Sequence, residues 1–171
     1  MKKMFRLAAG LIVLQLASPA MAEPDWMTEL TQGKVLRWQF SPVTYHFSQD
    51  PEHKNVVMVG VEREHADARL DGLTLFTNSF GQPTVYLYPW GGVLKSLGGI
   101  DKLSFKWTAG LLYGYREPYE NKVPLNFSGF SPAVIPALAY EFKPGWSAQV
   151  NFLGTAGLMF QVSGPFNFLA R

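Results

Sequence analysis

Residues 103–116 read Leu-Ser-Phe-Lys-Trp-Thr-Ala-Gly-Leu-Leu-Tyr-Gly-Tyr-Arg. Leu103, Phe105, Trp107, Ala109, Leu111, Tyr113 and Tyr115 share one face, and Ser104, Lys106, Thr108, Gly110, Leu112, Gly114 and Arg116 share the other. Strict period-two alternation of this length marks a strand. It is longer than the usual globular strand of about 5–6 residues. It suits a tilted strand crossing a bilayer, which needs about 9–11 residues plus its rims. Aromatic residues near the ends of the apolar face suit the lipid headgroup level.

The same pattern recurs towards the C-terminus. Trp146, Ala148, Val150 and Phe152 oppose Ser147, Gln149, Asn151 and Leu153. Over residues 156–163, Leu158, Phe160 and Val162 oppose Met159, Gln161 and Ser163. Both segments are apolar on one face and mostly polar on the other. A soluble barrel buries its apolar face in the lumen and wets its exterior. Strand length and aromatic density favour the inverse arrangement. Further strands are expected at 38–49, 55–64, 70–80, 84–90 and 131–142. The total is eight, an even number as single-chain bacterial barrels have. Gly91-Gly92 and Gly98-Gly99 read as turns, and residues 117–129 as the longest connection.

Prolines interrupt two of these strands. Pro42 lies in the first, Pro132 and Pro136 in the sixth. Proline cannot donate to a ladder. The apolar phase also slips at Pro42, from Trp38 and Phe40 to Val43, Tyr45 and Phe47, which predicts a bulge. Two readings stay open: an irregularity at the barrel end, or a lateral opening through which lipid enters the lumen.

The N-terminus reads as a cleaved signal peptide over residues 1–22. Lys2, Lys3 and Arg6 precede an apolar stretch, and Ser18-Pro19-Ala20-Met21-Ala22 ends in small residues. The rest, residues 23–171, is expected to be one barrel domain. Residues 25–37 are expected to form a short amphipathic helix at the membrane interface. Three of the 15 basic residues belong to the signal, leaving 12 against 13 acidic ones. The mature chain therefore offers no argument for nucleic acid. The full 171-residue sequence contains no cysteine, which excludes a disulfide scaffold and thiolate metal sites. The three histidines are scattered without ligand spacing, so no metal is expected.

His46 should point into the lumen if Tyr45 and Phe47 face lipid. Antiparallel order brings the end of the third strand, with Ser79, to the same rim. A serine and an imidazole on one rim can act as nucleophile and base. Lys106 and Arg116 face inward by periodicity, and Glu62 and Glu141 are placed to meet them.

Several segments, taken in order, resemble the lipid A palmitoyltransferases of the PagP type. Asp25-Trp26-Met27-Thr28 resembles the family's mature start. Thr44-Tyr45-His46 with Pro42 before it resembles a Pro…Thr-Trp-His segment, and Thr108-Ala109-Gly110 a Thr-Ala-Gly of a late strand. Residues 132–140 followed by Gly145 resemble the proline-containing sixth strand and its neighbour. The resemblance implies an all-β, eight-stranded antiparallel transmembrane barrel in the bacterial outer membrane. It implies an acyltransferase that moves a palmitoyl chain from a phospholipid donor to lipid A, without metal or cofactor. His46 then matches the family's histidine, and Asn78-Ser79 falls where an Asp-Ser pair stands. The serine is kept and the carboxylate is not, so its role is either lost or moved to an acid such as Asp50. A monomer is expected, since a closed barrel has no edge to pair. The rival expectations are a non-enzymatic outer-membrane barrel with a charged, plugged lumen, and a soluble secreted lipid binder.

Overall fold

The computed structural model describes residues 34–48 and 50–166. The expected signal peptide and most of the expected N-terminal helix lie outside the described residues. The last four residues of that helix, 34–37, are instead the start of a strand: Gln39 and Arg37 continue the inward face, and Lys34 pairs with His65.

Eight antiparallel strands form a closed barrel in chain order: β1 (Lys34–His46), β2 (Met58–His65), β3 (Leu70–Thr77), β4 (Pro83–Leu94), β5 (Leu103–Tyr113), β6 (Phe130–Lys143), β7 (Trp146–Phe152) and β8 (Gly157–Pro165). Strand β8 closes the barrel on β1, with Arg37 opposite Pro165 and His46 opposite Gly157. We call the end bearing His46 the upper rim. The alternation sorts side chains as the sequence pattern requires. Val59, Val61, Leu73, Leu75, Leu87, Trp107, Leu111 and Phe160 are exposed on the outer wall, whereas Gln39, Ser41, Glu62, Thr74, Lys106, Gln149, Gln161 and Ser163 are buried in the lumen.

The phase slip at Pro42 is a bulge. The β1–β8 register shifts between Phe40 and Val43, and the Ser41 hydroxyl donates to the Val43 carbonyl (3.2 Å). Below it Gln39 and Ser41 face inward; above it Thr44 does. A second bulge in β4, between Leu87 and Trp90, was not expected. It carries β4 through Gly91-Gly92, which are strand residues rather than a turn. Gly110 makes the bulge possible, because a Cβ there would collide with the Leu87 carbonyl and lie 2.6 Å from Tyr88 Cα.

Two ladders stop short of the upper rim. The β1–β2 pairing ends at Ser41 opposite Met58, so the part of β1 from Pro42 upward has no β2 partner. Asn55 Nδ2 bridges this seam to the Pro42 carbonyl (3.1 Å). The β6–β7 pairing begins only at Ala137 opposite Asn151, leaving the proline-bearing upper half of β6 unpaired on that side. Missing proline N–H groups explain why these stretches resist pairing.

Strand β5 ends earlier than the alternation suggests. At Gly114 (φ 152) a Cβ would fall onto Thr84, and the chain turns out of the ladder. Arg116 is consequently exposed in the loop rather than inward, and Glu141 is exposed at the end of β6. Of the two basic residues expected inside, Glu62 meets only Lys106. Lys106 Nζ donates to Glu62 Oε1, Gln39 Nε2 to Glu62 Oε2 (3.1 Å), and the Tyr88 hydroxyl to Gln39 Oε1 (3.3 Å). This network fills the lower lumen. Above it, Val56, Met58 and Met159 pack with Phe76 and Leu153 as an apolar cluster.

Candidate functional site

The upper rim gathers β1's end, the connection 47–57, the β3–β4 turn and the connection 114–129. The turn is built on Asn78. Its Oδ1 accepts from the backbone N–H groups of Phe80 and Gln82 (both 3.0 Å). Its Nδ2 donates to Gln82 Oε1 (3.3 Å) and the Gly114 carbonyl (3.4 Å). Asn78 is fully buried. It closes the turn as an Asx residue does and spends its side chain on the turn and β5, not on His46.

Its neighbour points the other way. Ser79 Oγ lies 2.7 Å from His46 Nε2. The Lys54 backbone N–H donates to the Ser79 carbonyl (2.7 Å), tying the first connection to the turn. His46 and Ser79, which the sequence places on one rim, are thus in direct contact. In the Nδ1–H tautomer, Nε2 can accept the Ser79 proton.

Two groups at this site were not anticipated. The Tyr115 phenol lies beside Ser79. Burial pushes the phenol up, and the nearby Ser79 only partly offsets this, so Tyr115 stays protonated at neutral pH and available as a donor. Alternation had placed Tyr115 on the outer wall. Gly114 followed by a polar Arg-Glu-Pro run was the available signal that the strand had ended. The second group is His53, whose ring lies against His46 at a 35° tilt with centroids 4.4 Å apart.

An aromatic cover surrounds the pair. Phe80 meets His53 edge-on (5.4 Å) and stacks on Tyr119 (4.3 Å), with Lys122 Nζ 4.9 Å over its ring. Lys122 also pairs with Asp50 (3.2 Å). The Glu52 backbone N–H and Lys122 hold the Asp50 carboxyl below its ordinary range. Asp50 therefore stays ionised, and its carboxylate bonds the Glu52 N–H (3.0 Å) and Lys122 rather than His46.

His65 belongs to the opposite rim, where it and Arg63 both bond Asp71. Among the described residues no group of three His, Cys, Asp or Glu is placed to hold a metal ion. What the rim offers is a base, a hydroxyl and a phenolic donor at the mouth of a partly apolar lumen. No protein-family model matches the chain, and comparison with curated proteins finds no significant match.

Proposed function

We propose that this chain is an outer-membrane acyltransferase that moves a fatty-acyl chain, palmitoyl in the family it resembles, from a phospholipid to lipid A. The observation that carries the reading is the 2.7 Å contact between His46 Nε2 and Ser79 Oγ at the lumen mouth. The exposed apolar outer wall fits a bilayer. The two unpaired seams fit lateral entry of lipid into the lumen, and the apolar cluster below the pair fits an acyl chain.

In the mechanism, His46 Nε2 takes the Ser79 proton as Oγ adds to the donor ester carbonyl. Tyr115 donates to the developing oxyanion. Collapse breaks the acyl–oxygen bond, and the glycerol oxygen leaves with the His46 proton as a lysophospholipid. A lipid A hydroxyl then attacks the acyl-serine, its proton passing through His46 back to Ser79 Oγ. In a one-step route His46 deprotonates the lipid A hydroxyl directly and Ser79 serves as a polar partner. Detection of an acylated Ser79 separates the two routes.

The test is mass spectrometry of lipid A from a Gram-negative host expressing the chain or its Ser79→Ala variant. One added acyl mass, absent with the variant, supports the reading. No added mass from a folded wild-type barrel overturns it. The buried Glu62–Lys106 network favours a second reading, a non-enzymatic barrel with a plugged lumen, and that negative result would select it.

A further inference from the structure

The lumen beneath His46 is not uniformly apolar. One wall carries Val56, Met58 and Phe76; the facing wall, from β1, β7 and β8, carries Thr44, Gln149, Asn151 and Gln161. All four are more than nine-tenths buried. Asn151 is committed: Gln149 Nε2 donates to its Oδ1 (2.6 Å), and its Nδ2 donates to Gln161 Oε1 (3.1 Å) and the Met159 carbonyl (3.4 Å). These bonds fix which end of each glutamine amide is left over. Gln149 Oε1, Gln161 Nε2 and Thr44 Oγ1 are buried with no partner among the described residues.

The three belong to one patch. Gln149 and Gln161 are directly opposite in the β7–β8 ladder. Thr44 stands opposite Met159, so Gln161 is the next inward residue along β8. Leaving such groups dry and unpaired is costly. What they lack is specific: an acceptor for Gln161, a donor for Gln149, and either for Thr44. An anion would face the Gln149 carbonyl oxygen, and a cation would find no carboxylate in this patch. A neutral hydroxyl both accepts and donates, and satisfies the set.

Depth narrows the ligand further. Thr44 is two residues below His46 on the same strand face, about 6.6 Å along the strand. An extended chain whose ester carbonyl sits at His46 and Ser79 would bring about its sixth carbon to this level. We infer that the patch of Thr44, Gln149 and Gln161 is a hydroxyl subsite, and that the lumen prefers an acyl chain carrying a hydroxyl near its sixth carbon over the plain chain of the same length. The location of the carbonyl rests on the acyl-transfer reading; the subsite itself does not.

The test compares phosphatidylethanolamine carrying palmitoyl or 6-hydroxypalmitoyl chains on the mature barrel in detergent. Bound lipid is counted by native mass spectrometry, and transfer to lipid A is followed in parallel. The hydroxylated lipid should bind about tenfold tighter, the worth of one added buried hydrogen bond. Thr44→Val should bring the ratio close to one, and Thr44→Ser should preserve it. Gln161→Leu provides a second loss if Thr44→Val does not fold. Equal binding of both lipids, or a ratio untouched in folded variants, overturns the subsite and assigns the patch to bound water. Absence of binding by either lipid overturns it too. A Thr44-dependent ratio without transfer of either chain removes the acyltransferase and leaves the subsite standing.

Discussion

Asn78 and Ser79 are adjacent in sequence and have opposite fates. Ser79 reaches His46 (2.7 Å), whereas Asn78 caps its own turn with every polar atom engaged. Their rim was legible, because antiparallel order alone brings β3's end beside β1's. The side-chain directions were not, because they depend on how the β3–β4 turn closes. On the proposed acyl transfer, replacing His46 with Gln should lower the rate by about 10²–10⁴-fold, the usual range for a general base. Adding Ser79→Ala to it should cost little more, since groups acting as one unit are not additive; multiplicative losses would show that the two act separately. Asn78→Asp should not raise activity, although it restores the residue type of the family the chain resembles. It would lose the Nδ2 bond to the Gly114 carbonyl and set a carboxylate oxygen against it, costing about 1–3 kcal/mol of stability. A gain in the initial rate of the purified variant would show that position 78 does face the imidazole in the working state.

The strands were legible from period-two alternation, and the pattern failed wherever the ladder bends. The Pro42 bulge left a readable mark because the apolar phase changes there. The β4 bulge left none: Pro89, Trp90 and the two glycines after it do not alternate. Nor could alternation show that β5 stops at Tyr113, since Tyr115 keeps the parity while the backbone has already turned at Gly114. The lost parity is what delivers Tyr115 to Ser79. Strand β5 runs against the β4 bulge through Gly110, whose missing side chain admits the Leu87 carbonyl. Gly110→Ala should therefore abolish or sharply reduce folding, because the obstacle is backbone and cannot swing away. Heat-modifiable migration on gels after refolding into detergent measures this. Folding yields near those of wild type would mean that the bulge relaxes without loss.

At the scale of the whole barrel, inside and outside differ by polarity, and each side makes its own demand. The lumen holds Glu62 against Lys106 with side-chain exposures of 1% and 10%. Removing one charge leaves the other buried and unpaired, so Glu62→Gln should destabilise by about 3–5 kcal/mol, read as a lower urea midpoint at unchanged slope. A change below about 1 kcal/mol would mean that water reaches Lys106. The outer wall makes the opposite demand. Val61, Leu73, Leu87 and Leu111 follow one another across β2, β3, β4 and β5 in register, and all four are exposed. On a soluble barrel an arginine replacing one of them meets only water, and surface changes of that kind shift stability by about 0.5 kcal/mol at most. In a bilayer the same arginine must sit in hydrocarbon, at about 2–4 kcal/mol near the midplane. Leu73→Arg should therefore lose that amount when unfolded by urea from lipid vesicles. An unchanged midpoint would mean that the apolar wall faces something other than lipid, and the bilayer placement of the site would fall with it.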